Sequence, residues 1–290
     1  MANLRQSRSG RNVSISPHAY PVYYLRTPAT IGTRIDRQED TTNFSPKTMA
    51  MEMRLRQRGR SLLTAVTLAV SGFFLGALLV FLTIQGLIFA GVDVMNAPAV
   101  QLVISTVMLQ GVAFGLLALG YLKLSGLGFD FLALRRPTLR DGGWIVSGLT
   151  VFFVLYVAMN FAISALGIPV AENQVAQIGA KNPDVLLLLV PFSLLLIGPG
   201  EEVLFRGLIQ GTLRQTFRPW SAIVIASAIF AVSHASALTG DGQFTYMAVV
   251  FILALILGVT YEYAENLIIP TVIHGIYNAI LFSFLYLQVT

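Results

Sequence analysis

Three short stretches place polar side chains where apolar helices should continue: GPGEEVLFRG with Glu201, Glu202 and Arg206, FAVSH with His234, and HGIYN with His274 and Asn278. Carboxylates, imidazoles and amides move protons and meet developing charge, and they serve equally well in a proton or ion path. Inside apolar segments they are costly unless paired or facing a wet cavity, so they mark function. Spacing sorts them by face. Glu202 and Arg206 stand i,i+4, stacked for an ion pair that makes both tolerable in a bundle. Glu201 is turned about 100° from Glu202 and is left outside that pair. His274 and Asn278 again share one face, as do Phe230 and His234. Ahead of the glutamates, Gly198, Pro199 and Gly200 loosen the helix and Pro191 removes a backbone donor, which predicts an opening that water can reach.

These groups need helices to hold them at one level. Of 290 residues, 55% are hydrophobic and only 11% charged, and the mean hydropathy is +0.72, whereas soluble domains carry about 25% charged residues. The composition predicts an all-α, polytopic transmembrane helix bundle. Apolar runs long enough to cross a bilayer fall at 62–88, 99–124, 143–167, 184–213, 219–237, 244–262 and 266–288, seven spans in all. The chain has no cysteine, which excludes disulfides, thiolate catalysis and Cys-ligated zinc. Residues 1–60 hold 11 Lys/Arg against 4 Asp/Glu and the remaining 230 hold 8 against 10. The basic character is therefore that of a tail, read as disordered, and not of a nucleic-acid-binding domain. No signal peptide is read in it, and Met49, Met51 and Met53 offer alternative translation starts. Lys and Arg cluster before the first span and in the second and fourth loops, which predicts a cell-membrane protein with its N-terminus in the cytoplasm and its C-terminus outside. Counted from the cytoplasmic end at about 1.5 Å per residue, Glu201 lies about 18 Å deep, His234 about 22 Å, and His274 and Asn278 about 12 and 18 Å. Four polar groups on three helices converge on one depth.

EEVLFR, FAVSH and HGIYN together resemble the EExxxR, FxxxH and HxxxN motifs of the CPBP intramembrane proteases, which include the CAAX-processing Ras-converting endopeptidases and bacteriocin-processing or self-immunity proteins. Each of the three motifs lies on its own apolar helix and they come in the family's order. The resemblance covers 184–288, so residues 184–290 read as a catalytic core, 61–183 as N-terminal transmembrane helices, and 1–60 as the tail. The seven spans are one fewer than the eight of the prenyl-protein peptidases. The resemblance implies hydrolysis of a peptide bond in a membrane-associated protein or peptide, prenylated or not, within the lipid bilayer. It implies that Glu201, helped by His234, activates water, that His274 and Asn278 hydrogen-bond the oxyanion, and that Glu202 and Arg206 are a supporting pair. A poorly solvated carboxylate is a better base, and an oxyanion donor in a dry site is worth about 3 kcal/mol.

Two other classes fit the same residues: an ion- or proton-coupled transporter, and a non-catalytic immunity or scaffold protein on this fold. No cofactor is expected. Zinc is the alternative, with Glu201, His234 and His274 as its ligands, but adjacent glutamates diverge on a helix and Asn278 is a poor ligand beside the second His of HExxH. Asp241 reads as a turn residue, Glu262 and Glu265 as interfacial caps, and Gly207 and Gly211 as sites of close helix packing.

Overall fold

The computed structural model describes residues 46–290. Among them, seven helices are long and apolar enough to cross a membrane: α1 (Pro46–Phe89), α2 (Pro98–Ser125), α3 (Leu139–Ala165), α5 (Pro183–Arg214), α6 (Pro219–Ala237), α7 (Gln243–Ala264) and α8 (Ile268–Val289). A short α4 (Gln174–Lys181) precedes α5. Strands β1 (Glu172–Asn173) and β2 (Leu238–Thr239) form a two-residue antiparallel ladder. The chain is a multi-pass membrane protein, and the seven spans match the hydropathy reading.

One boundary differs. The expectation of disorder to residue 60 does not hold over residues 46–60, which are the first turns of α1. Met, Leu, Arg, Gln and Glu are strong helix formers, and extending a helix already nucleated in its apolar half costs far less than starting one. The rest of that tail, residues 1–45, lies outside the described residues.

Alternate connections meet at opposite ends of the bundle. At one end Ser61 Oγ donates to Thr212 O at 3.1 Å and the Arg58 guanidinium lies 5.7 Å from the Phe217 ring centroid, joining the start of α1 to the α5–α6 connection. The α2–α3 and α7–α8 connections are clamped together by Arg135. Its guanidinium donates twice to Asp141 at 2.7 Å and once to Ala264 O at 2.7 Å, and Leu267 N donates to Ala133 O at 3.1 Å. The Asp141 carboxylate also accepts from Thr138 N and Oγ1, capping α3. Its hydrogen bonds hold the Arg135 guanidinium pKa above the usual arginine value. Across the bundle, the β1–β2 ladder ties the α3–α4 connection to the α6–α7 connection.

Between these ends the helices bury two apolar clusters. One joins α1, α2, α5, α6 and α7 around Phe114, Leu204, Phe205 and Leu208, and the other joins α3, α7 and α8 around Phe152, Leu257 and Ile273. Lipid tails are as apolar as these side chains, so close packing and not water exclusion must hold the helices together. Small residues permit it. Gly207, expected to allow a close approach, packs under Leu132, which a Cβ would meet at 2.8 Å.

Candidate active site

The helix that carries the glutamates is irregular where they sit. In α5, π-helical turns over Ser193–Ile197 and Val203–Gln210 flank five α-helical residues, Gly198–Glu202. Pro191 and Pro199 lack the N–H that regular i→i−4 bonding needs, and a π turn re-satisfies the displaced carbonyls at a different register. Two close backbone contacts then set the neighbours. A Cβ on Gly198 would stand 3.0 Å from Thr271 O and 3.1 Å from Gly275 N, and one on Gly275 would stand 2.9 Å from Ser193 O. Only glycines allow α5 and α8 to touch there, and the contact carries His274, next to Gly275, onto the glutamates. On the other side a Cβ on Gly200 would overlap the backbone carbonyl of Gln110 in α2.

His274 is the hub of the site. Its Nδ1 lies 2.8 Å from Glu202 Oε1 and its Nε2 lies 3.8 Å from Glu201 Oε2. The first is a hydrogen bond and the second is an approach beyond hydrogen-bond length, an ion pair only when the ring is protonated. Glu201 stands outside the Glu202–Arg206 pair, as its spacing predicts, and Glu202 has His274 as a partner in addition to Arg206. The two ring nitrogens point to different sides of one imidazole, so a single ring on a neighbouring helix reaches carboxylates that the helical turn separates. An ionised carboxylate only accepts, so Nδ1 carries a proton, and the neutral ring then has no N–H at Nε2.

The expected pair is present too. Arg206 Nη1 is 3.2 Å from Glu202 Oε1, with the side chains 1% and 0% exposed. That N–H is close enough to pair charges but not aimed well enough for a hydrogen bond, and Nη2 instead donates to Ala254 O at 3.0 Å. Gln210 and Arg214 follow at i,i+4 steps. Gln210 Nε2 donates to Gly258 O at 3.1 Å, and Arg214 Nε to Glu262 Oε1 at 2.6 Å. Glu262, near the C-terminal end of α7, thus pairs with the last residue of α5, its side chain 8% exposed.

His234 sits at the end of the regular part of α6. Its Nδ1 lies 2.9 Å from Phe230 O. A carbonyl only accepts, so Nδ1 is the donor and Nε2 of the neutral ring is left as an acceptor. The Phe230 ring gathers the rest. Its centroid is 4.7 Å from that of His234, 5.9 Å from that of His274 and 4.8 Å from that of Phe205, and Arg206 Cζ lies 4.8 Å above it. Arginine over an aromatic face in a dry site is a cation–π contact, a neutral partner that suits a buried guanidinium. Asn278 stands one turn beyond His274 on α8, half-buried and without a hydrogen bond among the described residues. The site therefore gathers Glu201, Glu202, Arg206, His234 and His274 around one phenylalanine and leaves Asn278 at its edge.

No group of three His, Asp or Glu side chains with the makings of a metal site occurs among the described residues. Glu201, His234 and His274, the zinc set expected as the alternative, do not form one. Sequence reasoning passed over Tyr246 and Asn173. Asn173 Oδ1 caps α4 by accepting from Val175 N at 2.8 Å, and its Nδ2 donates to the Tyr246 hydroxyl at 3.0 Å. That bond ties the start of α7 to the α3–α4 connection. A tyrosine in the first turn of an apolar helix reads as an interfacial aromatic, and no sequence spacing links it to Asn173.

No curated protein and no solved structure matches this chain. Residues 183–280 match the family described as type II CAAX prenyl endopeptidase Rce1-like. That match spans α5 to α8, the helices that hold every residue of the His274 hub. Those helices are an Rce1-like region, and this chain is consistent with a multi-pass membrane protease of the CPBP/CAAX kind.

Proposed function

We propose that this protein is a metal-free intramembrane endopeptidase whose general base is Glu201. The observation that carries the reading is the shared imidazole: in the Rce1-like helices, His274 lies 2.8 Å from one glutamate and 3.8 Å from the other. Glu202, wholly buried and held by Arg206 and His274, is committed to structure. Glu201 makes no hydrogen bond of its own among the described residues, and its side chain keeps 13% exposure, so it is the carboxylate that can meet a water. In the reaction it removes a proton from that water as the oxygen adds to the substrate carbonyl carbon. His234, with Nε2 free to accept, shares the proton. The Asn278 amide donates to the oxyanion, joined by His274 Nε2 when that ring is protonated. The C–N bond then breaks as the proton passes to the leaving nitrogen, giving a carboxylate and an amine. The substrate is a membrane-associated protein or peptide, and the family resemblance makes a prenylated C-terminus the first to try.

The test uses the purified protein in liposomes with two internally quenched peptides ending in a Cys-aliphatic-aliphatic-X sequence, one S-farnesylated and one not. The wild-type protein should cleave one or both, and Glu201→Gln should cleave neither while unfolding at nearly the same temperature. Cleavage by Glu201→Gln at the wild-type rate refutes the assignment of the base. Proton or ion flux into the same liposomes with no cleavage replaces the protease reading with a transporter.

A further inference from the structure

The hydrogen-bond polarity around His274 leaves the site short of donors. With Nδ1–H given to Glu202, a neutral His274 offers no N–H to a developing oxyanion, and Asn278 alone remains of the expected pair. A second donor stands on α7. Tyr246 Oη is 3.0 Å from Asn173 Nδ2. The direction of that bond is settled by the other half of the amide: Asn173 Oδ1 already accepts from Val175 N at 2.8 Å, so the NH2 faces Tyr246 and donates. The phenol oxygen therefore accepts, and its own proton is free to be given elsewhere.

What surrounds the phenol points to where. Tyr246 lies in the first turn of α7, just past the connection that follows His234, and Tyr156 and Tyr277 pack with ring centroids 5.5 Å apart. Tyr277 immediately precedes Asn278. The placement is fixed by the β1–β2 ladder, in which Asn173 pairs with Leu238, four residues after His234. Gln177 Nε2 reinforces it with bonds to Glu172 Oε2 at 2.6 Å and Thr239 Oγ1 at 2.7 Å. One clip thus orients Asn173, Tyr246 and the end of the helix bearing His234.

Resting on the protease reading above, we propose that Tyr246 is a further catalytic residue, its O–H donating to the substrate carbonyl oxygen as that oxygen becomes the oxyanion, with Asn173 as the positioning residue that sets the direction of donation. No bond to hydrogen breaks at Tyr246: the phenol stays protonated and contributes a hydrogen bond that strengthens as charge develops.

Two substitutions test this on the farnesylated and unmodified peptides. Tyr246→Phe should lower kcat by about 10²- to 10³-fold with little change in KM, the loss expected of one oxyanion donor. Asn173→Asp is the sharper variant. Aspartate caps a helix as well as asparagine does, so α4 and the melting temperature should be unaffected, and the hydroxyl at 246 is still present. Its second carboxylate oxygen, however, accepts the phenol proton and turns the donor away, so kcat should fall about as far as in Tyr246→Phe. Wild-type kcat in either variant overturns the proposal. A loss confined to KM overturns it as well, since Tyr246 would then bind substrate without serving the transition state. If the wild-type protein itself cleaves neither peptide, the protease reading falls and this proposal with it, an outcome distinct from an active wild type with unaffected variants.

Discussion

Glu201 and Glu202 are adjacent, yet their removal should have opposite consequences, and the clearest case is Glu202→Gln. The Glu202 side chain is 0% exposed and that of Arg206 1%, in contact at 3.2 Å. Gln at 202 keeps an oxygen to accept from His274 but removes the only carboxylate in contact with the guanidinium among the described residues. Breaking a buried pair from one side costs about 3–5 kcal/mol, because the surviving charge remains in a medium that cannot solvate it. Glu201 is 13% exposed and 3.8 Å from His274, so Glu201→Gln forfeits about 1 kcal/mol or less. At about 2–4 °C of melting temperature per kcal/mol for a chain of this size, Glu202→Gln should unfold roughly 6–20 °C below wild type and Glu201→Gln within a few degrees of it. Thermal unfolding of the detergent-solubilised proteins, followed by tryptophan fluorescence, reads both. The double variant Glu202→Gln/Arg206→Met should regain most of the loss, since an apolar replacement of a buried pair is often neutral. Equal melting temperatures for the two single variants, or a double variant no better than Glu202→Gln, would refute the division of labour between the two glutamates.

Other substitutions probe the remaining contacts. Asn278→Ala should lower kcat by about 10²- to 10³-fold at unchanged KM; a rise in KM alone would make Asn278 a binding residue. Gly200→Ala forces a Cβ against the Gln110 carbonyl and should cost about 1–3 kcal/mol and displace Glu201, with up to about 10²-fold lost in activity. Gly59→Ala, whose Cβ meets nothing, is the matched control and should be stabilising in the same unfolding assay. Asp141→Asn would turn an amide donor toward Arg135 or Thr138, and should cost about 2 kcal/mol and speed hydrogen exchange in the α7–α8 turn. Elemental analysis of active protein, with a chelator titration, addresses the metal: activity is expected to survive chelation, and near-stoichiometric zinc whose removal and return switch cleavage off and on would overturn the glutamate-base reading.

What the sequence determined by itself is what depends on periodicity and composition. Seven apolar runs predict seven spans because a bilayer demands about 20 apolar residues whatever the fold. The Glu202–Arg206 contact could be read from i,i+4 spacing because the helix places those residues together without help from any neighbour. Residues 46–60 are helical although polar, because polarity marks where the bilayer ends, not where a helix does. Tertiary structure decided every contact between helices. That His274 would spend its Nδ1 on Glu202 depends on the rotation of α8 about its axis and on the meeting of Gly198 with Gly275, neither of which leaves a periodic trace. The π turns on either side of Gly198–Glu202 change the angular step between residues, so a count at 100° per residue cannot say where Glu201 points. Tyr246 and Asn173 lie 73 residues apart and are joined by a single hydrogen bond at the end of a two-residue ladder. Local spacing carries no information about such a pair, because what brings it together is the path of the whole bundle between them.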